Sequence, residues 1–448
     1  MKATRSRFFV LLLLFIVTAI NYMDRANLSV AGTSIQGEFD LSPAHLGLLF
    51  SMFTWTYVLS QIPVGYILDR IGVRKLYGAA VIIWSIFTCL MGLASHHLFT
   101  TAAASFAFLL LCRALIGIAE APSFPANAKI ISTWFPTQER ASATAVYACA
   151  QYIGLALLTP VLAFIVANYG WEMSFYASGG VGIVFGTYWL FKYRDPLDNK
   201  ATNAAELEHI RKGGGLGQMS ADKKVVNEKV EWSDVAHVLK QRNIWGLFIA
   251  QFAMNSTLYF FLTWFIVYLE KGLNLSISKA GIGAAFPYMM AMLGLLCSGF
   301  VSDALMKRGI SRTVSRKLPA ILGLGLAGTM CFVNFFEDKP VIAIAILSFA
   351  FFANAFSNIG WVILSDIVPS KVIGTVGGFF NVSGNLAGIA TPIIMGVILQ
   401  TTNSFAYAMY YISFVSVLGA LSHIFIIRKL DTIQLPGSGK KVEEAQAS

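Results

Sequence analysis

Four ionisable side chains interrupt long apolar stretches of this 448-residue chain. Asp24 and Arg25 lie in the first stretch, and Arg113 and Glu120 lie in the fourth. A charged side chain at the centre of a membrane helix costs roughly 2.5–3.5 kcal/mol on insertion scales, so a charge kept there usually has a partner or a function. Arg113 and Glu120 are seven residues apart. On a helix they share a face but are separated by about 10 Å of rise, too far for a tight pair.

Two carboxyl groups and two guanidinium groups can together bind an organic anion and a proton. Burial favours the protonated form of a carboxyl group, whereas a neighbouring guanidinium favours the ionised form. An anion that occupies Arg25 or Arg113 removes this counter-charge, and the acid then holds a proton more readily. By thermodynamic linkage, protonation favours anion binding to the same extent. These residues therefore predict that an anion and a proton move together.

The elements that hold these residues are predicted to be membrane helices. Hydrophobic residues make up 56% of the chain and charged residues 12%, against about 25% charged in an average soluble domain. This composition excludes a water-soluble protein. About 20 apolar residues in a helix cross a bilayer. Twelve such stretches occur, at 8–31, 46–69, 76–95, 103–126, 141–167, 173–193, 244–269, 279–304, 318–336, 341–365, 372–400 and 405–427. We therefore predict an all-α membrane protein with twelve transmembrane helices.

The basic residues indicate the orientation of the chain. The net charge is +10, yet 28 of the 33 lysines and arginines lie at the termini, around the 194–243 connector or in loops on the same side. The positive-inside rule places that side, with both termini, in the cytoplasm. The lipid bilayer is thus the predicted partner, and the charge requires no nucleic acid. The run from Phe8 has no small-residue cleavage site, so we interpret it as a membrane helix rather than a signal peptide.

The connector divides the chain into two halves that repeat each other. The predicted parts are a six-helix bundle at 1–193, a connector at 194–243, a second bundle at 244–427 and a tail at 428–448. The segment from Gly65 to Asp69 is echoed 234 residues later from Gly299 to Asp303. Pro136 is echoed by Pro369, and Thr159-Pro160 is echoed by Thr391-Pro392. These nearly equal offsets predict two pseudo-symmetric bundles, and parallel repeats place a binding site between them near the midplane.

The sequence shows none of the residue patterns that common enzyme sites require. The five cysteines all lie in apolar runs and show no CxxC spacing, and the six histidines show no zinc-ligand spacing. No Ser-His-Asp arrangement and no GxxxxGK[ST] phosphate loop is recognised in the sequence. We predict that the protein is not an enzyme and uses no metal or organic cofactor.

Several motifs resemble a known family of membrane transporters. The segment Gly65-Tyr-Ile-Leu-Asp-Arg-Ile-Gly-Val-Arg-Lys75 resembles the signature between helices 2 and 3 of the major facilitator superfamily. The segments Asn21-Tyr-Met-Asp-Arg-Ala-Asn27, Glu120-Ala-Pro-Ser-Phe-Pro125 and Trp134-Phe-Pro-Thr-Gln-Glu-Arg140 are similar to its anion:cation symporter family. Within that family the sequence most resembles bacterial sugar-acid proton symporters for galactonate and glucarate. The likeness covers essentially the whole chain, including the connector segment 205–215.

The resemblance implies a function and a role for each site residue. It implies a proton-coupled importer of sugar-acid anions that works by alternating access as a monomer in the bacterial inner membrane. Arg25 is expected near the substrate, and Asp24 and Glu120 are expected to be the proton sites, with Arg113 as a charge partner. Further substrate contacts are expected from Tyr22, Tyr57, Gln151, Gln251, Asn358 and Asn381, with Trp361 as a pocket wall. Gly65, Asp69, Arg70, Arg74 and Asp303 lie at predicted cytoplasmic helix ends and are interpreted as gate elements, while Asp366 is expected to be solvated.

Structural alternatives remain open for several of these residues. Asp24 and Arg25 can form a local ion pair, and Arg113 can tie its helix to a neighbour. Asn381 can make an interhelical hydrogen bond within a glycine-rich packing helix. Aromatic residues at helical spacing, such as Tyr57 and Trp361, often serve packing alone. The substrate can be a hexonate monoacid, a hexarate diacid or another carboxylate. Organic-phosphate exchange is disfavoured because residues 244–269 hold no basic residue.

Overall fold

The chain folds into long helices joined by short loops. A computed structural model describes residues 3–95, 99–215, 231–369 and 371–435, apart from the side chains of Ile62 and Asp69. The helices are α1 Ser6–Glu38, α2 Pro43–Ile71, α3 Val73–Met91, α4 Ala102–Glu120, α5 Ser123–Trp134, α6 Thr137–Tyr169, α7 Trp171–Lys192, α8 Ala204–Lys212, α9 Trp232–Leu239, α10 Arg242–Thr263, α11 Phe265–Val267, α12 Ile277–Lys307, α13 Arg312–Ala327, α14 Pro340–Phe356, α15 Gly360–Ile367, α16 Ile373–Thr402 and α17 Phe405–Leu421. Two π-helical turns follow α11 and α17, at Tyr268–Gly272 and at Ser422–Ile426.

Each predicted apolar stretch corresponds to one helix or to one helix that is broken within its span. Ten helical segments in the described part of the chain are long and apolar enough to cross a membrane, counting α4 with α5 and α14 with α15. The helices α2 and α7 have 29 and 22 residues and are of comparable length. The prediction of an all-α membrane protein is therefore confirmed. Several helices extend beyond the predicted limits, because helical hydrogen bonding continues into polar residues that the apolar pattern does not mark.

The described contacts group the chain into two compact units that do not follow chain order. Unit 1 comprises Met1–Val225, Leu262–Met289 and Pro392–Asn403, and unit 2 comprises Val226–Phe261, Met290–Thr391 and Ser404–Ser448. The division of the sequence into two bundles, connector and tail stays a prediction. We call the end of each unit that carries α8 or α9 its connector end, and the opposite end its far end.

Small residues bring the helices of unit 1 together. Gly154 of α6 packs on Ala19 of α1, and Gly179 of α7 packs on α3 beside Ser85. Gly72 is the single residue between α2 and α3, and its φ of 83° is a conformation that other residues rarely adopt. The close helix contacts place the interior faces of α1, α3, α4 and α7 beside one another.

At the far end of unit 1, segments from both halves of the sequence meet through glycines. A Cβ atom on Gly47 of α2 would collide with the backbone of Pro392 in α16. A Cβ atom on Gly281 of α12 would collide with Ala163 of α6, one turn from Pro160. The glycines are 234 residues apart and the two prolines 232, so these two contacts are copies of each other.

Polar contacts reinforce the same end of unit 1. The Ser29 hydroxyl donates to the Thr263 carbonyl oxygen at 2.7 Å. The Thr33 hydroxyl donates to the Glu270 carboxylate, and Lys271 donates to the side-chain oxygen of Gln36 at 2.6 Å. The first turns after α10 are thereby held against α1.

The two connector helices each dock on a different unit. Glu206 of α8 is fully buried and accepts hydrogen bonds from the backbone N–H groups of Ser6 and Arg7, at 3.1 and 3.2 Å. It thus caps the N-terminus of α1, whose own flanking residue makes no side-chain cap. In unit 2, α9 buries Val235 and Val238 in an apolar cluster. The residues 216–230 between them lie outside the described part of the chain.

Candidate functional site

Arg25 and Glu120 form a buried ion pair in unit 1. The guanidinium Nη2 and Nε atoms lie 3.1 and 3.2 Å from Oε2 of Glu120, whose side chain has no exposed surface. Glu120 is the last residue of α4, because Pro122 begins a separate turn into α5. The break in this helix therefore places the carboxylate opposite α1.

Aromatic rings surround the Arg25 guanidinium. Its central carbon lies 4.6 Å from the ring centroid of Phe53, 5.1 Å from that of Tyr22 and 5.3 Å from that of Tyr57. Tyr57 stacks on Phe53 with 5.4 Å between centroids. Cation–π contacts at desolvated sites contribute about 2 kcal/mol or more each. The rings hold a planar guanidinium, a group whose fork of donors matches a carboxylate.

Arg113 contacts the ring of the same phenylalanine. Its guanidinium carbon is 5.3 Å from the Phe53 centroid, its side chain is buried, and its Nε has no hydrogen-bond partner among the described residues. Glu120 is ion-paired with Arg25 instead. Two guanidinium groups thus contact the Phe53 ring. That of Arg25 is paired with Glu120, whereas that of Arg113 has an Nε donor without a partner among the described residues.

Asp24 faces a different side of α1 from its neighbour Arg25. Successive residues on a helix point about 100° apart, and Trp84 of α3 and Ser178 of α7 lie near the Asp24 carboxyl group. It is 2% exposed, and both of its carboxyl oxygens lack a hydrogen-bond partner in the described structure. The local Asp24–Arg25 ion pair that the sequence left open is not formed, because Arg25 bonds to Glu120.

A buried hydrogen-bond network borders Asp24. The Asn27 amide donates to the Ser178 hydroxyl at 2.8 Å, and the Ser174 hydroxyl donates to the Asn27 side-chain oxygen at 2.7 Å. The sequence analysis missed Phe53, Trp84 and this network. The spacing carried a signal: Phe53 precedes Tyr57 by one turn, and Ser174 precedes Ser178 by one turn.

Gln151 and the expected C-terminal contacts lie on other elements. Gln151 is half-buried on α6 of unit 1. In unit 2, Gln251 of α10 is 8% exposed, and Asn358 lies in the three-residue break between α14 and α15. Trp361 is the second residue of α15, packs edge-to-face on Phe380 at 4.9 Å and is 46% exposed.

Asparagines of α16 link this helix to α10. The Asn385 amide donates to the Asn381 side-chain oxygen at 3.3 Å, and Asn385 accepts from the Tyr259 hydroxyl at 3.3 Å. Asn385 therefore makes an interhelical bond to Tyr259, and the interhelical bond of Asn381 stays a prediction. Gly384 faces α10 so closely that a Cβ atom there would lie 3.1 Å from Nε2 of Gln251.

The expected gate residues make local contacts at the connector ends. Arg74 donates to the Leu190 carbonyl oxygen at 2.7 and 3.0 Å, and Arg70 lies over the ring of Tyr66 at 4.2 Å. Gly65 has open space around it, and the side chain of Asp69 lies outside the described residues. In unit 2, Asp303 is ion-paired with Arg316 at 3.3 Å.

The expectation that Asp366 is solvated is wrong. Its carboxylate lies 3.3 Å from Nε of Arg316 and 3.8 Å from Nε of Arg312, and its side chain is 22% exposed. The arginines come from α13, which is adjacent to α15 at the connector end. The sequence places Asp366 at a helix end but does not reveal that α13 brings two guanidinium groups there.

Comparisons with known proteins agree with the architecture. Residues 14–392 match the family model described as Major Facilitator Superfamily. A probable galactarate/D-glucarate transporter of Escherichia coli (strain K12) is 37% identical over 438 residues, with 97% of each chain covered. A D-galactonate transporter of Escherichia coli O6:H1 is 40% identical, covering 95% of this chain and 96% of the relative.

A solved structure shares the fold. The crystal structure of a D-xylose-proton symporter superposes with a TM-score of 0.71 at 18% identity, covering 95% of this chain and 99% of that chain. The family model and the relatives together cover nearly all of the sequence that forms the long apolar helices. The chain therefore belongs to the major facilitator superfamily and is a membrane transporter rather than an enzyme.

Proposed function

We propose that this protein imports sugar-acid anions together with protons. The substrates are hexonates or hexarates such as galactonate, glucarate and galactarate. The relatives at 37–40% identity are named as transporters of these acids. The proposed location is the bacterial inner membrane, with both termini cytoplasmic and the protein acting as a monomer. A proton is the proposed coupling ion.

The buried Arg25–Glu120 pair is the observation that carries the proposal. A substrate carboxylate and Glu120 are both acceptors for the same guanidinium. When the substrate takes Arg25, Glu120 is left as a buried acid without its counter-charge, and an uncompensated buried charge is costly. Proton uptake removes that cost. Substrate and proton therefore stabilise each other's binding, as linkage requires.

Asp24 is proposed as the second proton site. An ionised carboxylate with neither oxygen hydrogen-bonded would be strongly unfavourable at this burial. The protonated form needs only one acceptor and one donor, which Ser178 and Trp84 on the adjacent helices are positioned to provide. Release of this proton requires a rearrangement around Asp24.

Polar groups for a hydroxylated substrate are present in both units. Tyr22 and Tyr57 in unit 1 and Gln251, Asn358 and Asn381 in unit 2 supply both donors and acceptors. A polyhydroxy acid needs such pairs for each hydroxyl group. A small apolar carboxylate would not use them.

Two alternatives share parts of this chemistry. Another carboxylate, such as a hexuronate, also suits Arg25 and the amide groups. Exchange of organic phosphate is less well supported because residues 244–269, which contain most of α10, hold no lysine or arginine. Glucuronate in the assay described next tests the hexuronate alternative.

The test is transport by the purified protein in proteoliposomes with an inward proton gradient. Uptake of galactonate, glucarate, galactarate, gluconate and glucuronate is measured together with internal pH. We expect one or a few of the hexonates or hexarates to accumulate with acidification of the lumen. Uptake of glucuronate alone would favour the hexuronate alternative. Uptake unaffected by the gradient, or none, would contradict proton-coupled sugar-acid import.

A further inference from the structure

A small cavity in unit 2 is lined by Gln251, Ser357 and His423. The volume open to the centre of a water molecule is about 10 Å³, enough for roughly one water. Leu247 and Leu324 form part of its apolar wall, and the residues with polar groups on its lining are Gln251, Ser357, Gly360 and His423. The cavity adjoins the break between α14 and α15, where Asn358 lies.

His423 lines this cavity, and its ring nitrogen Nε2 has no hydrogen-bond partner among the described residues. Its side chain is 2% exposed, and its Nδ1 lies 3.2 Å from the Gly419 carbonyl oxygen. A carbonyl oxygen only accepts, so Nδ1 carries the hydrogen in this contact. Nε2 of the neutral ring is then an acceptor, and no described residue bonds to it. A buried acceptor without a donor is costly, which indicates that a donor is bound there.

The position of His423 is fixed by the π-helical turn after α17. The neighbouring Ser422 hydroxyl is 3.0 Å from the Gly246 carbonyl oxygen and 2.8 Å from that of Gly419. Gly246 lets this turn pack closely, since a Cβ atom there would lie 2.6 Å from Ile427. The ring is therefore held against α10, near Gln251. Single π turns of this kind often occur at functional sites.

We propose that the cavity binds one water that links His423 to Gln251, making His423 a positioning residue for the substrate site. The water donates one hydrogen to Nε2 of His423. The Ser357 hydroxyl already donates to the Asn354 carbonyl oxygen, so it accepts the second hydrogen of the water. The water then accepts from the Gln251 amide, and the acceptor at Nε2 of His423 thereby orients that amide. The role of Gln251 in sugar-acid binding rests on the proposed function, whereas the water site does not.

Two substitutions at His423 separate its two nitrogens. His423→Asn keeps a donor near the position of Nδ1 but has no acceptor at the position of Nε2, whereas His423→Gln carries an amide oxygen to that position. We expect His423→Asn to raise the KM for the transported sugar acid about tenfold, the effect of one lost buried hydrogen bond. Its maximal exchange rate is expected to stay near that of wild type. His423→Gln is expected to remain within about threefold in KM.

A double-mutant cycle with Gln251→Ala tests whether His423 acts through Gln251. In the Gln251→Ala background, His423→Asn is expected to cause no further rise in KM, because the group that it positions is absent. Independent, multiplicative effects of the two substitutions would overturn the proposal.

Ser416→Ala is the matched structural control. Ser416 of α17 forms a buried 2.9 Å hydrogen bond with Thr257 of α10. This bond joins the same two helices away from the cavity. The control is expected to keep a wild-type KM. If it reproduces the His423→Asn effect, His423 only stabilises the packing of α17 and the positioning role is overturned.

A spectroscopic measurement tests the water site without any substrate. Imidazole ¹⁵N NMR of the full-length protein in lipid, with His423 assigned by its loss in His423→Gln, is expected to show a neutral ring protonated at Nδ1 and hydrogen-bonded at Nε2. Protonation at Nε2, or an Nε2 signal without a hydrogen bond, would overturn the proposal. If this signature is present and no sugar acid is transported, the proposed function fails and the water site stands.

Discussion

Arg25 links the anion chemistry of the site to its proton chemistry. Its guanidinium is paired with Glu120 and packed among Phe53, Tyr22 and Tyr57. The Glu120 carboxylate already neutralises the positive charge of Arg25, which an incoming substrate carboxylate needs. Binding therefore has to displace one acid from Arg25 with another, and the displaced acid has to be neutralised.

Replacing Arg25 by lysine tests the geometry of this group rather than its charge. An ammonium group cannot donate in the planar fork of a guanidinium and packs less well among the rings. We expect Arg25→Lys to raise the KM for the sugar acid by about tenfold or more in proteoliposome uptake. Arg308→Lys, at an exposed position, is the control for the same exchange. Normal uptake by Arg25→Lys would show that Arg25 is not the carboxylate ligand.

Replacing Glu120 by glutamine tests proton coupling. The amide oxygen still accepts from Arg25, but the side chain no longer binds and releases a proton. We expect loss of accumulation driven by a proton gradient while counterflow exchange persists. Glu337→Gln, an exposed position, is expected to behave as wild type. Loss of both activities would indicate a structural role for Glu120, and retention of both would exclude it as the coupling site.

The four membrane charges could be identified from the sequence because each interrupts an apolar stretch. Their pairing could not, since it depends on how α1 rotates against α4. Arg113 and Glu120 share a helix, yet Glu120 bonds to Arg25 from another helix. For Phe53 the one available signal was its spacing of one turn before Tyr57, because an apolar residue in an apolar stretch is otherwise not distinguished.

At the scale of elements, breaks in long helices place the polar groups. The turn at Pro122 ends α4 at Glu120, and the break at 357–359 separates α14 from α15 beside Gln251. The sequence predicted single helices across both positions. A proline marks the first break, but the second has no proline, so tertiary packing determines it.

The far-end glycine contacts of unit 1 are expected to control how often that end opens. Gly47→Val and Gly281→Val both add atoms where backbone or Cβ atoms already touch, so each should weaken this arrangement. The reporter is a single cysteine at Val267, buried in the structure, in a variant without native cysteines. We expect faster labelling by a membrane-impermeant maleimide in both variants. Gly180→Val, where a Cβ atom meets nothing within 4 Å, should leave the rate unchanged.

At the scale of the whole molecule, the sequence correctly predicted an all-α membrane protein. Apolar stretches of sufficient length have few alternatives in a bilayer, because the backbone must satisfy its own hydrogen bonds. The composition of the compact units was not predictable from chain order. Segments 262–289 and 392–403 join unit 1 through contacts that only the folded chain brings together.

The docked connector is expected to stabilise the molecule as a whole. Glu206→Gln removes the charge that holds Arg7 and weakens the cap on α1. Losing such a buried, charge-assisted contact should cost about 1–3 kcal/mol, seen as a lower apparent Tm in detergent. Glu208→Gln, on the exposed face of the same helix, should change the Tm little, since surface ion pairs contribute less than about 1 kcal/mol. Equal shifts in both variants would contradict the capping role.

The paired contacts Gly47–Pro392 and Gly281–Pro160 give the transporter a built-in redundancy. Each is the repeat counterpart of the other, so the chain contains the same helix contact twice. A substitution in one contact leaves the other contact intact. Selection for restored transport should then return second-site substitutions at the corresponding position of the other repeat as often as at the substituted position. The repeat would then be visible in the suppressor substitutions, as pairs of positions 234 or 232 residues apart.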